Sequence, residues 1–262
     1  MLDVLDIHTH TIASGHAYNS IYEMVQAASN MGLALLGISD HGPAMEGAAC
    51  KHYFRSNRCL PREIMGVKIL FGCELNILDF NGTVDLDETF ASALDYGIAS
   101  LHDVCIDPGT KAENTHAYVK AMDNPKVHVI GHPDDGTYEV DFDELVRQAA
   151  AHKVLIELNE ASVRPTSYRK NARANAMQVL EKCAQYGAKV VVSSDAHVAS
   201  DVRSHRYALE MLEKTHFPEE LVVNRSVDAL MEALKEKNDC LPDANGHNGI
   251  KNDALIFSAG RW

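Results

Sequence analysis

The sequence predicts an α/β fold built on parallel strands, either a β/α barrel or an open doubly wound sheet. Short runs rich in Val, Ile and Leu alternate with amphipathic stretches along most of the chain, and each run is bounded by Gly, Asp, Asn or Pro. Repeated strand-then-helix units of this kind favour parallel strands joined by right-handed crossovers. Histidines and carboxylates recur at the downstream ends of the runs, where parallel strands of such folds open onto one face.

Seven strands are read at residues 4–8, 35–40, 68–74, 98–101, 127–131, 154–158 and 189–193, from their length, apolar content and flanking turn residues. Helices are read over residues 20–30, 111–123, 141–152 and 172–186. In the third helix Phe142, Leu145, Val146 and Ala149 recur at three- and four-residue spacing, which gives one buried face. Asp141 is its expected N-cap, and Glu144 stands three residues on in a capping-box-like position. Gly187 falls where the fourth helix needs a C-cap. Residues 77–85, with Asn81-Gly82 at their centre, read as a β-hairpin inserted after the third strand. Residues 1–237 form the expected domain, and residues 238–262 lose periodicity and read as a tail or arm.

Composition narrows the function classes. A length of 262 residues suits a single barrel, and 46% hydrophobic with 23% charged residues is ordinary for a globular chain. A net charge of −13 argues against a general nucleic-acid binder, which needs a basic face to displace counterions. No apolar run reaches membrane-spanning length. The first ten residues have neither a basic start nor a long apolar segment, so no secretion signal is read and a cytoplasmic location is expected. Six scattered cysteines without CxxC pairs are expected as free thiols.

The fourteen histidines are not randomly placed. The first strand ends in His8-Thr9-His10, with His16 in the following loop. The second ends in Asp40-His41, the third in Cys73-Glu74 and the fourth in His102. The fifth ends in His132-Pro133-Asp134, the sixth in Glu157-Leu158-Asn159 and the seventh in Asp195-Ala196-His197. His8 and His10 stand two apart, so on an extended strand both side chains point the same way, as do those of Asp195 and His197. Imidazole nitrogen with carboxylate oxygen suits zinc, manganese or iron(II). Seven histidines with Glu74 and Asp195 make nine candidate ligands, too many for one ion and enough for three if Glu74 bridges a pair. His52, His116, His128, His152, His205, His216 and His247 sit outside these motifs and read as ordinary polar side chains.

The ordered set DIHTHT, SDHG, GCELN, SLH, GHPD, ELN and SSDAH resembles the PHP superfamily of metal-dependent phosphoesterases, and within it the YcdX-like phosphatases. The likeness runs from about Asp6 to His197 and continues less specifically to about Lys237. It implies a distorted seven-stranded β/α barrel of PHP type with three divalent ions per chain, zinc first and manganese or iron as alternatives. Carried onto this chain, it places one ion on His8, His10, Glu74 and Asp195. It places a second on Glu74, His102 and His132, and a third on His16, His41 and His197. It also implies a homo-oligomer, a trimer by that resemblance.

The expected reaction is phosphate-ester hydrolysis of a small phosphorylated substrate by metal-activated hydroxide, with Glu74, Asp195 and His197 as catalytic residues. Direct attack without a phosphoenzyme is expected, because no placed Ser or Cys nucleophile is evident and Cys73 reads as strand packing. Asp40, Asp134 and Asn159 are candidates for orienting imidazoles. Lys51, Arg55, Arg58 and Arg62 could hold phosphate, although a solvated loop is the simpler reading. Histidinol-phosphate phosphatase activity and an amidohydrolase-type reaction are the rival functions.

Overall fold

The computed structural model describes residues 2–240. Its strands are β1 (Leu5–Asp6), β2 (Leu35–Ile38), β3 (Glu63–Ile64), β4 (Val67–Asn76), β5 (Tyr96–Ser100), β6 (Val129–Ile130), β7 (Leu155–Asn159) and β8 (Val190–Ser193). Around them lie α1 (Ile21–Asn30), α2 (Lys51–Ser56), α3 (Glu88–Ala91), α4 (Lys111–Ala121), α5 (Phe142–His152), α6 (Glu160–Val163), α7 (Ala172–Tyr186), α8 (Arg206–Lys214) and α9 (Val227–Cys240). Seven strands pair in parallel in the order β1-β2-β4-β5-β6-β7-β8 and curl into a nearly closed barrel. These are the seven strands expected from the sequence. The eighth, β3, folds back antiparallel on the start of β4 and was not anticipated.

No strand ladder joins β8 to β1, and the seam is closed by other means. Thr9 and Ala196 form a single parallel bridge, and the His10 N–H donates to the Ala196 carbonyl at 2.9 Å. Below it, buried Asn224 spans the gap. Its amide donates to the carbonyls of Val192 (2.8 Å) and Leu5 (3.1 Å), its side-chain oxygen accepts from the Val192 N–H (2.8 Å), and its own carbonyl accepts from the Val4 N–H. One asparagine thus satisfies backbone groups that would otherwise be buried without partners.

The barrel interior is a packed core. Leu5, Ile7, Leu35, Leu70, Tyr96, Ile98, Val129, Leu155 and Val191 fill it, and Leu230, Ala233 and Leu234 of α9 pack into the same cluster. Tyr96 crosses this interior and donates its hydroxyl to the Ile7 carbonyl. Glycine is required beside it: a Cβ on Gly37 would lie 2.2 Å from the Tyr96 hydroxyl, and one on Gly72 would lie 2.5 Å from its ring. Outside the wall, α1 covers β2 and β4 through Met24, Val25 and Ala28, while α4, α5, α7 and α8 cover the other strands.

Helix ends follow local chemistry. Ser20 with Glu23 and Thr110 with Glu113 form reciprocal capping boxes. Asp141 caps α5 as expected, but the reciprocal bond is absent: the Asp141 N–H donates to Thr115, and Glu144 turns to Arg147 and Gln148. Gly187 ends α7 in the left-handed region. The expected hairpin at 77–85 is reduced to one antiparallel bridge, Ile77 to Val84, around a turn in which the Asp79 carboxylate accepts from the N–H groups of Asn81 and Thr83. That local carboxylate competes with strand pairing. Helix α9 runs to Cys240, and the rest of the tail expected at 238–262, with His247, lies outside the described residues. No described helix is long and apolar enough to cross a membrane. Cys50, Cys59, Cys73, Cys105 and Cys183 are free thiols.

Candidate metal centre

The carboxyl ends of the seven parallel strands meet at one mouth, and they bring the other eight predicted side chains together around Glu74. The Glu74 carboxylate is fully enclosed, and its two oxygens divide the ring of imidazoles between them. Oε2 lies 2.7 Å from His41 Nδ1, 3.3 Å from His8 Nε2 and 3.5 Å from His10 Nε2. Oε1 lies 3.0 Å from His132 Nε2 and 3.2 Å from His102 Nε2. Asp195 approaches from β8, with Oδ1 3.2 Å from His10 Nε2 and 3.7 Å from His8 Nε2. His16 and His197 complete the group at the outer edge, their Nε2 atoms 3.0 Å apart and their rings stacked.

Three sets of ligand atoms fall within 4.8 Å of one another: His8, His10 and Glu74; His41, Glu74 and His102; and His10, His41 and His197. They overlap the three sets implied by the family resemblance, with His10 and His41 each serving two groupings. The centre grades from enclosed to open. His8, His10 and Glu74 are buried, whereas His16 is exposed and His197 is partly so, which leaves the outer grouping facing solvent.

Most of the imidazoles have their tautomer set from behind. His8 Nδ1 donates to Glu157 at 2.6 Å. His10 Nδ1 donates to the Ser14 hydroxyl at 3.0 Å, and that hydroxyl donates in turn to Asp40 at 2.7 Å. His102 Nδ1 donates to the Asn76 side-chain oxygen, and His197 Nδ1 to the Asp195 carbonyl. In each case the proton sits on Nδ1, so the Nε2 lone pair turns into the centre. The consequence on the two innermost rings is that His8 Nε2 and His10 Nε2 are buried with no hydrogen-bond partner, and His41 Nδ1, Glu74 Oε2 and His132 Nδ1 are likewise unpartnered. Buried polar atoms are rarely left this way, and four of the five face one another around Glu74 Oε2.

Charge is held in the same pattern. Burial alone would raise the Glu74 pKa, but His41, His8 and His102 outweigh it and hold the carboxyl well below its ordinary range. Asp195 is likewise held down against burial, by His8, His10 and Arg169. Burial and neighbouring His197 and His41 hold the His10 pKa well below its ordinary value, while burial of His8 is outweighed by Glu157, Glu74 and Asp195, which raise its pKa. Two residues of the centre, His132 (φ 29°) and Asp195 (φ 57°), adopt the left-handed backbone region that side chains avoid, a strain that clusters at functional sites.

The three expected orienting residues divide. Asp40 acts on His10 only through Ser14, and it also accepts from Thr11 and Tyr53. Asn159 contacts carboxylates instead of imidazoles, donating to Glu157 (3.1 Å) and Asp195 (3.2 Å). Asp134 is buried and meets no imidazole; burial outweighs neighbouring Arg169 and Ser162 and pushes its carboxyl up to about 7. Of the basic loop residues, Lys51 pairs with Asp87 and Arg62 with Asp95, which precedes β5 at the far end of the barrel. Arg55 and Arg58 are exposed. Cys73 packs in the core with its thiol pushed up by burial, as expected of a strand residue.

Sequence reasoning gave no role to four residues that support the centre: Ser14 and Asn76, which hold His10 and His102, and Glu157 and Arg169. Glu157 gives its carboxylate to His8, to the His132 N–H at 2.7 Å, to Asn159 and to Ser193. Its signal was legible: a charge inside a Val-Leu-Ile strand covered on both faces must meet a partner. Arg169, from the loop between α6 and α7, reaches Asp195 Oδ2 at 2.9 Å, and no local pattern announced it.

Comparison with known proteins agrees with this architecture. Residues 6–161 match the PHP domain family. A protein of Caldicellulosiruptor saccharolyticus named "Probable phosphatase" is 42% identical over 231 residues, covering 88% of this chain and 95% of its own. A protein of Thermoanaerobacter sp. with a similar name is 43% identical over 235 residues, covering 89% and 95%. Among solved structures, histidinol phosphate phosphatase from Lactococcus lactis, complexed with zinc, L-histidinol and phosphate, superposes with a TM-score of 0.58 at 19% identity. It covers 83% of this chain and 95% of its own. A chain of an archaeal ribonuclease P superposes with a TM-score of 0.56 at 13% identity, a likeness of fold alone.

Proposed function

The chain belongs to the PHP family, and on that premise we propose that it is a phosphatase that hydrolyses small phosphate monoesters at three divalent cations gathered around Glu74. The observation that carries the reading is the set of buried, unpartnered nitrogens and oxygen that converge on Glu74. Such a set fits cations: the lone pairs of His8, His10, His102 and His197 are aimed inward by acceptors behind each ring, and two ionised carboxylates stand among them.

His8, His10, Glu74 and Asp195 would hold one ion, Glu74, His102 and His132 a second, and His16, His41 and His197 a third. Zinc suits these donors best, with manganese and iron as alternatives. When bound, the ions acidify a water to serve as nucleophile and offset charge on the phosphate oxygens. The chain's own part is positional. Glu157, Ser14, Asn76 and the Asp195 carbonyl keep a proton on each Nδ1, so those rings cannot turn an N–H toward the cations. Glu74 and Asp195 return two negative charges to the cluster, which leaves it net positive and attractive to a phosphate dianion inside an acidic protein. His197 and His16, at the open edge, stand where an incoming phosphate first meets the centre. The cytoplasm is the compartment proposed.

The test is elemental analysis of the purified chain together with a panel of phosphorylated metabolites, histidinol phosphate among them, 4-nitrophenyl phosphate and amide substrates. About three divalent ions per chain and hydrolysis confined to phosphate esters are expected. Metal-free protein, or amide hydrolysis without phosphatase activity, would overturn the proposal. Turnover in oxygen-18 water should place one label in released phosphate, and a trapped phosphoenzyme would overturn direct attack.

A further inference from the structure

Arg169 lies behind the centre with its side chain only 6% exposed. Its guanidinium donates to Asp195 Oδ2 at 2.9 Å, to the Asn159 side-chain oxygen at 3.1 Å and to the Ser162 hydroxyl at 3.0 Å. Tyr168, otherwise exposed, stands over its outer face with the ring centre 5.7 Å from the guanidinium carbon. The loop that carries it is fixed at both sides: the Arg169 N–H donates to the Ser167 hydroxyl, and Arg173 donates to the Val163 carbonyl. Asn159, held by Arg169, gives its amide to Asp195 Oδ2 as well. Two donors therefore occupy one oxygen of Asp195, and the other, Oδ1, faces His8 and His10.

A carboxylate can meet a cation with one oxygen or with both, and nothing in the side chain itself decides which. We propose that Arg169 is a positioning residue that, with Asn159, holds Oδ2 of Asp195 so that Oδ1 alone is offered to the cation shared with His8 and His10. The inference rests on the cation-cluster reading and adds to it a control on one ligand. By sharing the carboxylate's charge, the guanidinium also makes Asp195 a weaker electron donor; this keeps the shared cation more acidifying toward water and by itself loosens it slightly, an effect that the fixed orientation of Oδ1 outweighs. A planar, five-donor guanidinium reaches Asp195, Asn159 and Ser162 together; a lysine ammonium has three donors and no fixed plane.

The experiment compares purified wild type with Arg169→Met and Arg169→Lys. Metal content is measured after dialysis against graded chelator, and kcat and KM for 4-nitrophenyl phosphate are measured across pH. Thermal unfolding confirms that each variant is folded. The Met variant should release cation at about 10–100-fold lower chelator, with kcat reduced by a similar factor and KM changed less than about threefold. The acidic limb of its kcat profile should move to higher pH, and Lys should restore part of each loss. A folded Met variant with wild-type metal retention and an unmoved limb overturns the proposal. If the Met variant does not fold, the Lys variant carries the test: intermediate retention supports the proposal and wild-type retention overturns it. Wild-type protein devoid of metal overturns the parent reading and this one with it.

Discussion

Replacing Glu157 by Gln changes one atom of the centre's support and none of its proposed ligands. The carboxylate meets four donors: the His8 Nδ1–H and the Ser193 hydroxyl at Oε1, and the His132 N–H and the Asn159 amide at Oε2. An ionised carboxylate only accepts, so it satisfies all four; an amide must present an NH2 group to one pair. Turned toward His132 and Asn159, the NH2 opposes two donors and leaves buried hydrogens unpaired. Turned toward His8, it forces the proton onto Nε2, which removes a lone pair from the centre. In the first case each unsatisfied buried group costs about 1–3 kcal/mol, so unfolding free energy should fall by about 2–6 kcal/mol. In the second, cation affinity should fall about 10–100-fold while stability changes less. Urea unfolding with and without zinc, paired with a chelator competition, measures both quantities. A Glu157→Gln protein within twofold of wild type in zinc affinity and within about 0.5 kcal/mol in stability would refute the reasoning.

Other predictions test separate parts of the account. Asn224→Ala leaves the backbone groups of Leu5 and Val192 unpaired at the barrel seam and should cost about 3–5 kcal/mol in chemical denaturation, whatever the metal content. His205 is buried between Asp3 (2.9 Å) and Asp6 (3.5 Å); burial opposes its charge, but the carboxylates outweigh it and raise its pKa to about 10. Its stabilisation is therefore present in full below the ordinary value near 6.5 and is lost as pH rises toward about 10. Wild type should lose stability across that window relative to His205→Gln, and parallel urea-denaturation profiles of the two proteins would count against the pairing. Glu74→Gln should lower bound metal by two ions or more, because both carboxylate oxygens face imidazoles, whereas His16→Ala should remove at most one. Elemental analysis separates these outcomes, and equal loss from both variants would contradict the arrangement.

The barrel was legible because a buried parallel strand needs apolar residues on both faces, and the seven runs of Val, Ile and Leu stand out from their surroundings. Their ends were less so. The strand read at 4–8 pairs in a ladder only at Leu5–Asp6, because it borders the seam where Asn224 takes over the pairing. The strand read at 68–74 extends over Val67–Asn76, because β3 folds back on its start and β5 pairs to its last residue. The nine candidate ligands were readable: eight stand at strand ends and His16 in the loop after the first, and parallel topology carries those ends to one mouth. Their supports were not. Asn76 and Arg169 reach His102 and Asp195 across 26 residues of chain, and such hydrogen bonds leave no local pattern; Ser14 stands only four residues from His10, but the Asp40 that orients its hydroxyl lies 26 residues on. Glu157 could have been found by asking what a charge does inside an apolar strand.

The central claim is that Glu74 joins two cations within a cluster of three. Anomalous diffraction from crystals grown with zinc tests it most directly. The account predicts three peaks per chain, with one about 2.0–2.2 Å from each Glu74 oxygen and the third among His16, His41 and His197. Zinc-grown crystals with no anomalous peak beside either oxygen of Glu74 would contradict it.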